Sequence, residues 1–176
     1  MKKVKVAIVG CGGICSFHLS HLVQFDDVEY VGFMDIRPER AAEKAAIAGG
    51  APVFQDYITM LDQAKPDALY ICVPPDQHGT IELEAIKRGI HFLVEKPMAL
   101  NMELAWKIRD AAEAAGLVTA VGFQDRYLDI IDKTKEFLAD RQVGLVDGSW
   151  LGGIPGVYWW PTYATTGGQI VEQNIH

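Results

Sequence analysis

The stretch Val4-Lys5-Val6-Ala7-Ile8-Val9-Gly10-Cys11-Gly12-Gly13-Ile14-Cys15 decides the fold. Its first six residues are apolar apart from Lys5, as a buried strand requires, and the glycines end the run. Gly10 permits a tight turn, and Gly12 lets the backbone approach a pyrophosphate with no Cβ in the way. Residues 14–25 follow as a predicted helix with Phe17, Leu22 and Phe25 facing inward. Gly13 and Ile14 open that helix, where unpaired N–H groups and the positive dipole end suit phosphate oxygens. The third fingerprint position holds Cys15, a side chain small enough for helix–strand packing. Asp35 closes the second apolar run, 20 residues after Cys15, where a carboxylate can accept hydrogen bonds from the hydroxyls of an adenosine ribose. Strand, glycine turn, helix and acidic strand end together describe a dinucleotide-binding unit. Asp35 repels a 2′-phosphate and favours NAD, whereas Arg37 is spaced to pair with one and leaves NADP open.

Outward from this unit, apolar runs alternate with helix-period segments. Residues 28–34 read as a strand, and Pro38 stands at the first position of a helix that stops at Gly49-Gly50. A short strand at 53–54, a short helix at 57–63 and a strand at 68–73 follow, the last stopped by Pro74-Pro75. Residues 77–88 are expected as a helix closed by Gly89, 91–94 as a strand, and 101–115 as a helix capped by Asn101 and stopped by Gly116. One more strand spans 118–123. Continuous apolar strands separated by helices predict an α/β fold, a Rossmann doubly wound parallel sheet with helices on both faces. Residues 1–123 make up this expected domain. Beyond it come a predicted helix at 127–139, a strand at 143–151, and an aromatic stretch with Tyr158, Trp159, Trp160 and Tyr163. Residues 167–176 read as the opening of a helix, with Thr166 and Gln169 spaced as a capping box. Residues 124–176 are thus expected to be the incomplete start of an α+β substrate and oligomerisation domain, the chain being part of something longer that by itself binds cofactor but turns over poorly, if at all.

Of the 176 residues, 49% are apolar and 22% charged, the balance of a globular protein. A net charge of −7 with no basic stripe speaks against a nucleic-acid partner or an anionic membrane surface. The cysteines are odd in number: Cys11 and Cys15 lie in the glycine turn and Cys72 in an apolar run, so a reduced, cytoplasmic protein is expected. No Cys or His pair has zinc-ligand spacing with a second pair to complete it, and no metal is expected. Lys5 leaves too short an apolar run for a signal peptide, and no window approaches the ~20 apolar residues of a membrane span.

Several stretches in order resemble the glucose–fructose oxidoreductase/inositol dehydrogenase/MocA family. They are Val6-Ala7-Ile8-Val9-Gly10-Cys11-Gly12, Val73-Pro74-Pro75 with His78, Glu95-Lys96-Pro97, Val121-Gly122-Phe123 with Arg126, and Gly167-Gly168 with Glu172 and His176. The Glu-Lys-Pro tripeptide is the most specific. The resemblance implies an NAD(P)-dependent oxidoreductase that moves a hydride between a nicotinamide cofactor and a carbinol of a sugar, inositol or related polyol. It implies Lys96 and His176 as catalytic residues, with Glu172 where many members have Asp. It further implies cofactor contacts at Gly10, Gly12, Gly13, Ile14, Asp35, Arg37, Val73, Pro74, His78, Glu95 and Lys96, a cis Lys96–Pro97 bond, and homo-oligomers of the full-length protein.

The chemistry asks for the same groups. Oxidising a carbinol requires a hydride acceptor and a base for the hydroxyl proton. On a continuous helix Glu172 and His176 share a face, so the carboxylate could orient the imidazole. Lys96 could hydrogen-bond the substrate oxygen as negative charge develops. Other readings stand beside these. His78 either lines the nicotinamide edge or caps a nearby helix. His18, His21 and His91 read as helix-face or strand residues and Trp106 as packing, while Trp159 and Trp160 read as interface or core residues before sugar-stacking ones. A non-catalytic dinucleotide-binding sensor is the alternative function, since a Rossmann site does not imply turnover. Lys96 and His176 favour the enzyme.

Overall fold

The computed structural model describes residues 2–176. Among them, β1 (Val4–Val9), β2 (Val28–Met34), β3 (Val53–Phe54), β4 (Ala68–Ile71), β5 (His91–Val94) and β6 (Thr119–Val121) form one sheet in the order β3-β2-β1-β4-β5-β6. Every pairing is parallel. The intervening helices are α1 (Gly13–Leu22), α2 (Pro38–Ile47), α3 (Tyr57–Ala64), α4 (Thr80–Lys87) and α5 (Met102–Ala114). After β6 come α6 (Asp129–Leu138), α7 (Tyr163–Thr166) and α8 (Gln169–Glu172).

The apolar continuity of β1 is explained by its central place. Side chains alternate across a strand, and here both sides are covered. Ala7 and Val9 join a layer containing Met60, Leu61, Ile81, Ala85, Ile108 and Ala112 from α3, α4 and α5. Val6 and Ile8 join Phe33, with Cys15 and Leu19 of α1 and Ala41 and Ala45 of α2. Helix starts follow their caps: Asp56 accepts a hydrogen bond from the Thr59 N–H at 2.7 Å, and Asn101 accepts one from Leu104 at 2.9 Å. No helix among the described residues is long and apolar enough to cross a membrane.

Four local expectations are corrected. The inward face of α1 is Cys15, Leu19 and Leu22, whereas Phe17 and Phe25 are half or more exposed. Cys15 docks on the sheet, and Phe17, two residues on, is carried to the far side of the helix. The expected helix at 77–88 begins only at Thr80, because a 3₁₀ turn at Pro75–Gln77 and Gly79, with φ +117°, intervene. Residues 143–151 form no strand; they are exposed throughout and have no neighbouring strand to satisfy their backbone. Thr166 does not cap a helix from its N-terminal side. It ends α7, and Gly167 and Gly168, with φ +72° and +88°, break the chain into two short helices.

Candidate active site

The connections from β1 and β4, neighbours in the sheet, run to opposite sides, which opens a crevice at their carboxyl ends. Gly10 turns there with φ +87°, and a Cβ on it would stand 2.6 Å from the carbonyl carbon of Cys72. The Val73 side chain would lie 3.1 Å from the same Cβ, and Pro74 leads into the 3₁₀ turn. Gly12 and Gly13 are different, since a Cβ on either would meet nothing within 4 Å. The first turn of α1 has no side-chain cap and no acidic residue, so the N–H groups at Gly13 and Ile14 remain for an anionic ligand. At the end of β2, Asp35 is buried, with Oδ2 accepting from the Cys11 N–H at 2.7 Å and Oδ1 from the Arg37 N–H at 2.8 Å. The carboxylate is therefore oriented by the loop it borders. Arg37 itself is exposed, with its guanidinium 5.9 Å from the ring centre of Tyr158. An open glycine cradle, uncapped helix donors and a fixed carboxylate fit the pyrophosphate and ribose of a dinucleotide.

At the end of β5 the Lys96–Pro97 bond is cis. Lys96 Nζ donates to Glu172 Oε1 at 2.7 Å and to the Glu172 carbonyl at 3.1 Å, joining positions 76 residues apart. Glu172 is 4% exposed. Its Oε2 accepts from Trp160 Nε1 at 2.6 Å and from Gln173 Nε2 at 2.9 Å. Burial works against ionisation of this carboxyl, but hydrogen bonds from Lys96, Trp160 and Gln173, with the Lys96 charge, hold it below its ordinary value. The expected Glu172–His176 partnership is not formed. Helix α8 ends at Glu172, so the one-turn relation is lost, and the carboxylate is occupied by other donors. His176 is half-buried, and its Nδ1 is enclosed with no hydrogen-bond partner among the described residues.

Glu95 is turned into the protein. Its Oε1 lies 2.6 Å from His18 Nε2 on α1, and its Oε2 accepts from the Lys96 N–H at 3.2 Å. The helix that opens at the glycine loop is thereby tied to the backbone that carries Lys96. His18, expected on a helix face, borders the sheet, as its place three residues after the docking Cys15 signals. His78 is directed to α4, with Nδ1 2.6 Å from Glu82 Oε1 and both side chains fully buried. Trp106 is 48% exposed under Arg109, not in the core. The three cysteines are free and buried, and burial pushes the Cys72 thiol well above the ordinary thiol range. Among the described residues no group of three or more His, Cys, Asp or Glu is arranged to hold a metal ion.

Gly122, at the end of β6, supplies the wall behind Glu95. A Cβ there would fall 2.6 Å from Oε1, so the buried carboxylate would have to shift and loosen its hold on His18. Gly122→Ala is expected to cost about 1–3 kcal/mol of stability, read as a lower denaturant midpoint. An unchanged midpoint would show that Glu95 can leave His18 freely.

A six-stranded parallel sheet of this order, with a glycine cradle at the switch point and an acidic end to β2, defines a dinucleotide-binding Rossmann domain. The model of the GFO_IDH_MocA family, described as an oxidoreductase family with an NAD-binding Rossmann fold, matches residues 4–123, and the chain belongs to that family. It is 29% identical to the D-glucoside 3-dehydrogenase of Escherichia coli (strain K12), covering 98% of this chain and 51% of that protein. It is 30% identical to the glucose-6-phosphate 3-dehydrogenase of Bacillus subtilis (strain 168), covering 80% of this chain and 39% of that one. Among solved structures, an NAD-binding protein from Listeria innocua superposes with a TM-score of 0.81 at 29% identity, over 99% of this chain and 52% of the other. The chain spans about half the length of these relatives, or less.

Proposed function

We propose that this chain carries the cofactor site and the catalytic groups of an NAD(P)-dependent dehydrogenase acting on a secondary carbinol of a sugar, inositol or related polyol. The observation that carries this reading is the Lys96–Glu172 pair, 2.7 Å long, at the strand ends beside the glycine cradle. The chemistry supplied by a bound nicotinamide is acceptance of a hydride from the carbinol carbon. Lys96 donates to the substrate oxygen as charge develops there, with Glu172 as its fixed counter-charge. His176, following Glu172 in the same segment, takes the hydroxyl proton. Glu95 and His78 act from behind the cofactor surface as supports, consistent with their inward hydrogen bonds.

The names of the two dehydrogenases above make a pyranoside 3-hydroxyl the first substrate to try. A rise in NADH fluorescence on mixing the full-length protein and NAD with pyranosides and inositols is the expected result. Silence across a broad panel despite cofactor binding would sink the dehydrogenase reading. NAD is the favoured cofactor because Asp35 is fixed where a 2′-phosphate would be repelled. Asp35→Asn is expected to weaken NAD binding by about tenfold or more, as loss of a charge-assisted hydrogen bond does, and to narrow the gap to NADP. Equal NAD affinity in the variant would remove Asp35 from the ribose site. Residues 124–176 belong on this proposal to the substrate side, and the full-length protein is a homo-oligomer in a reducing, cytoplasmic compartment, in keeping with three free cysteines.

A further inference from the structure

We propose that Trp160, seconded by Gln173, is a positioning residue for the Lys96–Glu172 pair: its indole N–H holds the carboxylate oxygen that Lys96 does not bind. The inference rests on the reading of Lys96 as the group that meets the substrate oxygen. A carboxylate bound through one oxygen can still swing about its last torsion. Here Oε2 is held by Trp160 Nε1 at 2.6 Å and Gln173 Nε2 at 2.9 Å, so the plane is set and Oε1 faces Lys96. Gln173 is oriented in turn, because its Oε1 accepts from Trp150 Nε1 at 3.0 Å. With Glu172 4% exposed, water is poorly placed to substitute for either donor. Trp160 is not simply core packing: with Trp150, Tyr163 and Gln173 it walls an open cavity of about 390 Å³. The charged group that faces this carboxylate is Lys96 after β5; its other partners, Trp160 and Gln173, are neutral donors.

The test uses two readouts. In protein labelled with ¹⁵N-tryptophan, the Trp160 indole resonance, assigned by its loss in Trp160→Phe, is expected to move upfield in Glu172→Gln. In ¹³C-carboxyl titrations, Trp160→Phe is expected to raise the Glu172 midpoint, and Gln173→Met to raise it in the same direction should the Phe variant fold poorly. An unmoved indole resonance together with an unmoved midpoint overturns the proposal. In turnover assays, Trp160→Phe is expected to lower kcat about tenfold to a hundredfold, to leave NAD affinity unchanged, and to carry the acid limb of the kcat profile to higher pH. An unchanged kcat and acid limb in an active protein also overturns it. If the wild-type protein oxidises no carbinol, the dehydrogenase reading fails by itself, and the indole shift and carboxyl midpoint still decide whether Trp160 holds Glu172.

Discussion

Gly10→Ala is expected to lose much of the stability of the domain, whereas Gly12→Ala is expected to fold and fail to hold NAD. The two glycines stand two residues apart in one loop, yet their surroundings are opposite. At Gly10 the backbone has φ +87°, and the added methyl would strike the carbonyl group of Cys72. That group cannot retreat cheaply, since the Cys72 N–H is bonded to Val9 O at 2.7 Å where β1 meets β4. A left-handed conformation costs a non-glycine residue about 1–2 kcal/mol, and overpacking adds about 1–3 kcal/mol. Together these remove a large share of the 5–15 kcal/mol typical of a domain. Gly12 has φ −82°, ψ −159°, open to any residue, and its methyl would meet nothing within 4 Å. The stability change there should stay within about 1 kcal/mol, as for an N-cap substitution. The methyl would instead fill the space a pyrophosphate needs, with NAD affinity falling about tenfold or more, or at least about 1.4 kcal/mol. Urea midpoints and NADH titrations separate the outcomes. Equal destabilisation of both variants, or wild-type affinity in Gly12→Ala, would contradict this division of labour.

The unit from β1 to Asp35 was legible because its signals are local: an apolar run, glycines where the chain must turn, and a carboxylate at a fixed remove. The sheet was legible because its central strand, β1, is buried on both faces and its neighbours read as largely apolar runs, while the short, partly exposed edge strands β3 and β6 lie between turn residues. The phase of α1 was not, since apolar residues occur around most of its circumference and only the docking of Cys15 selects a face. The segment 143–151 misled for the opposite reason, as apolar content suggested a strand that no neighbour completes. At the candidate site, Lys96 and Glu172 could each be picked out by motif, but their partnership could not. The i, i+4 rule pointed Glu172 to His176, but α8 ends at Glu172, before the turn on which the rule depends. His18, Trp160 and Gln173 left little trace, because a polar contact between distant segments has no period to reveal it.

Lys96→Met should cut turnover about a hundredfold to a thousandfold, the loss typical when one donor to a developing oxyanion is removed, with NAD affinity changed only several-fold. Turnover alone would not separate this role from structural damage, because the substitution strands a buried carboxylate. The pH dependence of stability does separate them. In the wild type the Glu172 carboxyl is held below its ordinary value, so the stability it adds is present above the ordinary glutamate range and is lost as pH falls through the folded-state value. Without Lys96, burial still opposes the charge and only Trp160 and Gln173 favour it, so the folded-state value rises. The gap between wild type and variant should then be widest near neutral pH and shrink in acid. At neutral pH it should approach about 3 kcal/mol, the low end for breaking a buried pair, since the Lys96 side chain keeps 16% exposure. Adding Glu172→Gln removes the stranded charge, so the double variant should recover stability near neutral pH and lose its sensitivity to acid, while turnover stays as low as in Lys96→Met. A double variant that is no more stable than Lys96→Met would mean that the lysine acts through its packed stem and not its charge. A double variant that regains turnover would mean that neither residue meets the reacting oxygen.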